Sequence, residues 1–241
     1  IGTLGFHNFR AGEDHIVCKY NDSKADQTGQ RCTDKHIYAN PLEPMVCPFL
    51  ALAVFFSLES LHFAETEKFF QAEGQTNAAS QRYCGQLAEL FKRNAENLKA
   101  YIRADHANSH GIRKGSATAV TSGTTLPPPT SSIAAQGEWS LGRVLDIYWH
   151  FAEPGDHYLG CCLAGFDPNS ADFACLPPHF TVSNPMEHPQ IREAMDLMYG
   201  PALTKWGGLE DCDPTAFLCK LLPLVVYHSE FLKEMIRRVP G

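Results

Sequence analysis

Apolar positions along the chain recur mostly at helical spacing, broken by short β-prone runs and proline tracts. Across residues 80–104, Leu87, Leu90, Phe91, Leu98, Tyr101 and Ile102 repeat at three, four and seven. That period predicts a long amphipathic helix with its charges outside. A second helix is predicted from His110 to about Thr121, with Ser109 as N-cap and Gly123 as stop. The tract 124–130 carries Pro127, Pro128 and Pro129 and cannot be helical, so it bridges to a short helix near 131–136 that Gly137 ends. Ser140 then caps a helix running to about Phe151. Earlier in the chain, residues 14–20 are β-prone and lead into the turn-rich Asn21-Asp22-Ser23 and then Lys24-Ala25-Asp26-Gln27-Thr28-Gly29, a hairpin pattern with Lys24 in its turn or second strand; a further strand is expected around 35–39. Pro41, Pro44 and Pro48 punctuate the entry to an apolar core helix near 48–59. Beyond Pro154, Gly, Pro and Asp predict loops through 155–188, followed by helices near 189–199 and 215–238. The fold class expected is α+β, mainly α, with a small antiparallel sheet.

The 241 residues are 44% apolar, enough for a substantial core in one or two domains, which excludes disordered and fibrous classes. The longest apolar run, residues 46–56, is interrupted by Pro48 and falls short of the ~20 residues a bilayer-spanning helix needs. No membrane segment is expected. Residues 1–10 lack the charged and apolar regions of a signal peptide, and a start at Ile1 suggests a piece of a longer chain. Nine cysteines without a C-x-x-C pair point to a reducing compartment. His106 and His110 have helix-turn spacing, but no cysteine pair or carboxylate stands beside them at ligand spacing, so no metal site is expected. Asn21-Asp22-Ser23 fits a glycosylation sequon of a kind common by chance.

Charge changes the picture through its distribution rather than through its total of -7. Residues 1–84 carry 7 positive and 10 negative groups, residues 85–115 carry 6 and 3, and residues 116–241 carry 7 and 14. Lys92, Arg93, Lys99, Arg103, Arg113 and Lys114 therefore make the net-basic block. Such a block is either a solvated helix surface or a face for a polyanion.

Within it, His110-Gly111-Ile112-Arg113 sets an imidazole and a guanidinium three residues apart, on one face at a helix N-terminus, where N–H groups and the dipole favour an anion. Arginine presents a planar fork to phosphate oxygens, and histidine exchanges a proton near neutral pH. Gly137-Glu138-Trp139-Ser140 follows, and Tyr148 stands nine residues after Trp139. The order H-x-x-R, Gly-x-Trp, then Tyr resembles the catalytic domain of the tyrosine recombinases, or phage-integrase family. SKADQTG around Lys24 resembles the family's lysine-bearing hairpin. Together with NSHGIRKGSAT and GEWSLGRVLDIYWH, it resembles more narrowly the eukaryotic Crypton-type transposon recombinases and their phytoplankton relatives.

The resemblance covers about residues 4–160 and implies a tyrosine-recombinase catalytic domain there, with residues 161–241 as a C-terminal helical extension. It implies that Tyr148 attacks a DNA phosphodiester to give a 3′-phosphotyrosyl link, which needs neither cofactor nor metal. Arg113 and Trp139 would stabilise the phosphate, His110 would handle a proton, and Lys24 would protonate the leaving oxygen. Double-stranded DNA, a homo-oligomer on that DNA, a transposable-element origin and the nucleus follow as partner, assembly, source and location. Each residue also has a structural use: Tyr148 with Leu141, Val144 and Leu145 as core, Trp139 as packing, His110 at its helix start. Lys19 competes with Lys24 as the hairpin lysine, since strand register decides which one points at the phosphate. The family's other catalytic arginine has no counterpart near Ile1–Arg10, and Gln136 and Cys161 stand where relatives tend to have arginine. The expectation is a fragment with impaired activity; the alternatives are a degenerate or domesticated DNA-binding module and an unrelated helical interaction protein.

Overall fold

Three short strands, β1 (Phe9–Ala11), β2 (His15–Cys18) and β3 (Lys35–Tyr38), pair antiparallel in that order. They belong to a computed structural model that describes residues 4–20, 33–58, 69, 78–100, 107–140, 153–206 and 213–238. The register sets His15 opposite Tyr38, Ile16 opposite Ile37, Val17 opposite His36 and Cys18 opposite Lys35. Because side chains alternate along a strand and opposite residues share a face, Ile16, Cys18 and Ile37 point one way. His15, Val17, His36 and Tyr38 point the other.

The described helices are α1 (Pro48–Leu58), α2 (Ala78–Arg93), α3 (Ala95–Leu98), α4 (Ser109–Ser122), α5 (Thr130–Gly137), α6 (Glu153–Leu163), α7 (Pro189–Trp206), α8 (Pro214–Tyr227) and α9 (Ser229–Arg238). The fold is mainly helical with a small antiparallel sheet, as the periodicities predict.

The Ile16 face joins the main core, which α1, α7 and α8 complete. At its centre Phe6, Phe9, Phe56, Phe69 and Phe217 contact one another at ring-centroid distances of 4.8–6.3 Å. α8 contributes Phe217, Leu218, Leu221, Leu222 and Leu224, all buried. Residues 161–241 therefore supply much of the core beneath the N-terminal strands, and the expected boundary at 160/161 falls inside α6. Apolar content alone could not reveal that sharing, because it depends on which distant runs meet.

α6 itself replaces an expected loop. Its proline and glycines read as breakers, but Pro154 sits in the first helical turn, where the missing N–H has no intrahelical partner to lose. Gly160 permits close approach to the second face of the sheet: a Cβ there would lie 2.5 Å from the His36 carbonyl oxygen and 2.8 Å from the Tyr38 ring. Further along, α7 runs past its expected end to Trp206, and the expected 215–238 helix is two helices, α8 and α9, bent by 72°. No single described helix is long and apolar enough to cross a membrane.

The described part of the amphipathic 80–104 pattern forms α2 and α3, separated at Asn94, while Tyr101 and Ile102 lie outside the described residues. Its apolar stripe joins none of the buried clusters among the described residues, and Leu90 is 55% exposed. α4 begins one residue earlier than its expected cap suggested: Asn108, not Ser109, is the N-cap, and its Oδ1 accepts from the Gly111 N–H at 2.9 Å. α5 ends at Gly137 as expected, but through Glu138 in the left-handed region, at φ 53°.

Candidate functional site

The left-handed turn at Glu138 brings the chain back over the last turn of α5. Glu138 N–H donates to Ala135 O and Trp139 N–H to Ala134 O, which satisfies carbonyls that the helix end would leave open. Trp139 folds over Gly137, where a Cβ would meet the indole ring at 2.8 Å, so glycine is required for that contact. The indole is 42% exposed.

α4 delivers Arg113 to the same place. The guanidinium Cζ lies 5.2 Å from the centre of the Trp139 ring, a cation–π contact, and Nη2 donates to Gly137 O. Arg113 and Trp139, from motifs more than twenty residues apart, thus form one exposed unit. His110 is exposed one turn earlier on α4.

A residue that sequence reasoning passed over completes the helix end. Lys35, only 5% exposed at the start of β3, donates from Nζ to Ala135 O and to Thr33 Oγ1, the latter at 2.9 Å. Two cations therefore meet the C-terminal carbonyls of α5, where the helix dipole is negative. Lysine at a strand position gave no signal for this, since the contact spans 100 residues of sequence. Beside it, burial pushes the Tyr20 hydroxyl up to about 12, with Cys18 and Glu138 raising it further. Burial also pushes the Cys18 thiol up to about 11, against the lowering effects of its hydrogen bond with Tyr20 and the charge of Lys35.

Lys24 and Tyr148 lie outside the described residues, as do residues 141–152, which hold the helix expected after Ser140. Lys19, the competing hairpin lysine, is exposed at the end of β2. Tyr158, a second conceivable nucleophile, is otherwise engaged: its hydroxyl donates to Leu126 O at 2.6 Å and its ring packs on Phe173. Gln136 is half-buried with Oε1 unpartnered among the described residues, and burial pushes the half-buried Cys161 thiol up to about 12.

The basic block presents Lys92, Arg93, Lys99, Arg113 and Lys114 as exposed side chains on or beside α2, α3 and α4. Arg93 pairs with Glu89 and Lys99 with Glu96, both at the surface, where such pairs contribute little. Arg103 lies outside the described residues, and so does His106, half of the histidine pair weighed for a metal.

Three other histidines come together instead. His15, His36 and His157 hold ligand-capable atoms within 4.8 Å of one another. Two signals hid them: the hairpin register that makes His15 and His36 diagonal neighbours was unreadable across a long connection, and the segment carrying His157 read as loop.

A scan against family models and searches of curated proteins and of solved structures give no match to this chain.

Proposed function

We propose that this protein cleaves and rejoins DNA strands through a 3′-phosphotyrosyl intermediate, as a catalytic domain of the tyrosine-recombinase type. The observation that carries the reading is the meeting of Arg113 with Trp139 at the end of α5. Two motifs matched only by their order in the sequence supply two neighbouring groups suited to a phosphate.

In this reading the Tyr148 phenol oxygen attacks phosphorus and the bond from phosphorus to the 5′-oxygen breaks. His110 takes or shares the phenolic proton, and Lys24 supplies a proton to the departing 5′-oxygen. Arg113 faces the charge that builds on the non-bridging oxygens, held at its angle by the Gly137 carbonyl and the Trp139 ring. Lys35 ties the start of β3 to the same helix end. The phosphotyrosyl bond conserves the energy of the broken linkage, and a free 5′-hydroxyl reverses the step.

The test is a nicked suicide substrate incubated with the full-length protein and resolved under denaturing conditions. A covalent protein–DNA adduct is expected, abolished by Tyr148→Phe, which keeps the ring and removes the nucleophile. An adduct that survives this substitution overturns the assignment. A DNA-binding module without catalysis is the second reading, favoured by neutral Gln136 and Cys161 where arginines are expected. DNA binding without any adduct from the full-length protein would establish it.

A further inference from the structure

The second face of the sheet carries a cluster that the proposed strand-transfer chemistry does not use. His15 on β2 and His36 on β3 are diagonal neighbours on that face, and α6 lays His157 against them. Their ring centroids are 4.8 Å apart for His15 and His36, 4.9 Å for His15 and His157, and 3.9 Å for His36 and His157.

Each ring is held at Nδ1. His15 Nδ1 lies 2.8 Å from Asp14 Oδ1, His36 Nδ1 lies 2.7 Å from Asp156 Oδ2, and His157 Nδ1 bonds the Tyr38 hydroxyl. Asp156 also accepts from the His36 backbone N–H at 2.9 Å, so the buried ring and its strand are fixed by one carboxylate. This is the outer-shell arrangement that orients metal-binding histidines: a carboxylate or hydroxyl on one ring nitrogen sets the tautomer and the other nitrogen takes the ion. Asp156 Oδ1 is buried without a hydrogen-bond partner among the described residues, so the polar network is incomplete as it stands.

We propose that His15, His36 and His157 bind one divalent transition-metal ion of the zinc class, and that the ion ties the β2–β3 hairpin to α6. Imidazole nitrogens suit zinc, and three of them leave a fourth position for water. His36 is the fixed ligand, with its side chain 2% exposed. His15, at 15% side-chain exposure, and half-buried His157 are the ligands that adjust. Zinc–nitrogen bonds of about 2.0–2.1 Å in a tetrahedral site put nitrogens about 3.4 Å apart. From a separation within 4.8 Å, closure asks the two outer rings to move inward by about 1.4 Å at most.

The ligands come from three elements, two of them the strands flanking the connection that holds Lys24. The metal would therefore act as a structural clamp on the hairpin.

The experiment uses the whole chain, freed of any histidine tag, stripped with a chelator and titrated with zinc and then with cobalt. About one ion per chain by elemental analysis is expected, with the intense visible absorption of low-coordinate cobalt, and a melting temperature that zinc raises and magnesium does not. His15→Gln and His157→Gln should each lose the stoichiometric site, and Asp156→Asn should weaken it about 10–100-fold. His188→Gln, at an exposed position elsewhere, should bind as the parent does. Far-UV circular dichroism identifies any variant that fails to fold, and the titration of the unaltered chain decides in that case. A parent chain that takes up no zinc overturns the proposal, and so does uptake that both histidine variants retain. Neither result bears on the phosphotyrosyl adduct, which is measured separately.

Discussion

Replacing Phe217 by alanine tests whether the C-terminal helices belong to the same cooperative unit as the N-terminal strands. The ring is 1% exposed and lies 6.3 Å from Phe6, 5.3 Å from Phe9 and 5.6 Å from Phe56. Truncating a buried phenylalanine costs about 3–5 kcal/mol through lost burial and the cavity left behind. Aromatic pairs contribute about 0.5–1.5 kcal/mol beyond their area, so loss of three such contacts places the cost near the top of that range. Against a typical stability of about 5–15 kcal/mol this is a large fraction. With a urea dependence of about 3 kcal/mol per molar for a chain of this size, the midpoint should fall by about 1.5 M at unchanged slope. Val226→Ala is the control, on the same helix at 59% exposure, and should change stability by no more than about 0.5 kcal/mol. Equilibrium urea unfolding followed by circular dichroism and by tryptophan fluorescence measures both. A cost below about 1 kcal/mol for Phe217→Ala, the average for any substitution, would mean that α8 does not seat on β1.

Three further outcomes are expected. DNA binding should come mainly from phosphate contacts of the 85–115 block; with three phosphates neutralised, log K should fall with log salt at a slope of about -3, and a salt-insensitive isotherm would contradict it. Under iodoacetamide at about pH 8, exposed Cys84 should alkylate before Cys18, Cys161 and Cys162, because burial pushes those thiols to about 11, 12 and 11 and the thiolate is the reacting form; peptide mass mapping gives the order, and the reverse order would refute the burial assigned to them. Burial holds the His228 imidazole below its ordinary value of 6.5, so as pH falls below 6.5 the unfolded chain takes up the proton first and stability drops. His228→Gln should flatten that part of the stability–pH curve, and an unchanged slope would assign the loss to other groups.

Local pattern carried the helices α1, α4 and α5, the separate strands β2 and β3, and the turn at Gly137, because each depends on residues close in sequence. What escaped it depends on long-range pairing. α6 hid behind Pro154, Gly155 and Gly160, whose usual meaning as breakers is reversed at a helix start and at a close approach to a strand. The apolar content of 189–227 was visible, but its seat beneath Phe6 and Phe9 was not. At the candidate site, Arg113 and Trp139 were named from spacing and meet in space. Lys35 was missed because a helix-end carbonyl 100 residues away gives it its partner.

The aromatic cluster also sets a schedule for the chain as it leaves the ribosome. Phe6 and Phe9 emerge first of this cluster, while Phe217 follows about 200 residues later, which at a synthesis rate of about 5–20 residues per second is a wait of about 10–40 s. During that interval β1 has Phe56 and Phe69 as apolar company but lacks the helix that closes the core over them. A nascent chain held in that state exposes aromatic surface and strand edges, the features that recruit chaperones and seed aggregation. Slowing translation in the second half of the message should therefore lower the soluble yield of this protein more than the same delay placed before residue 50.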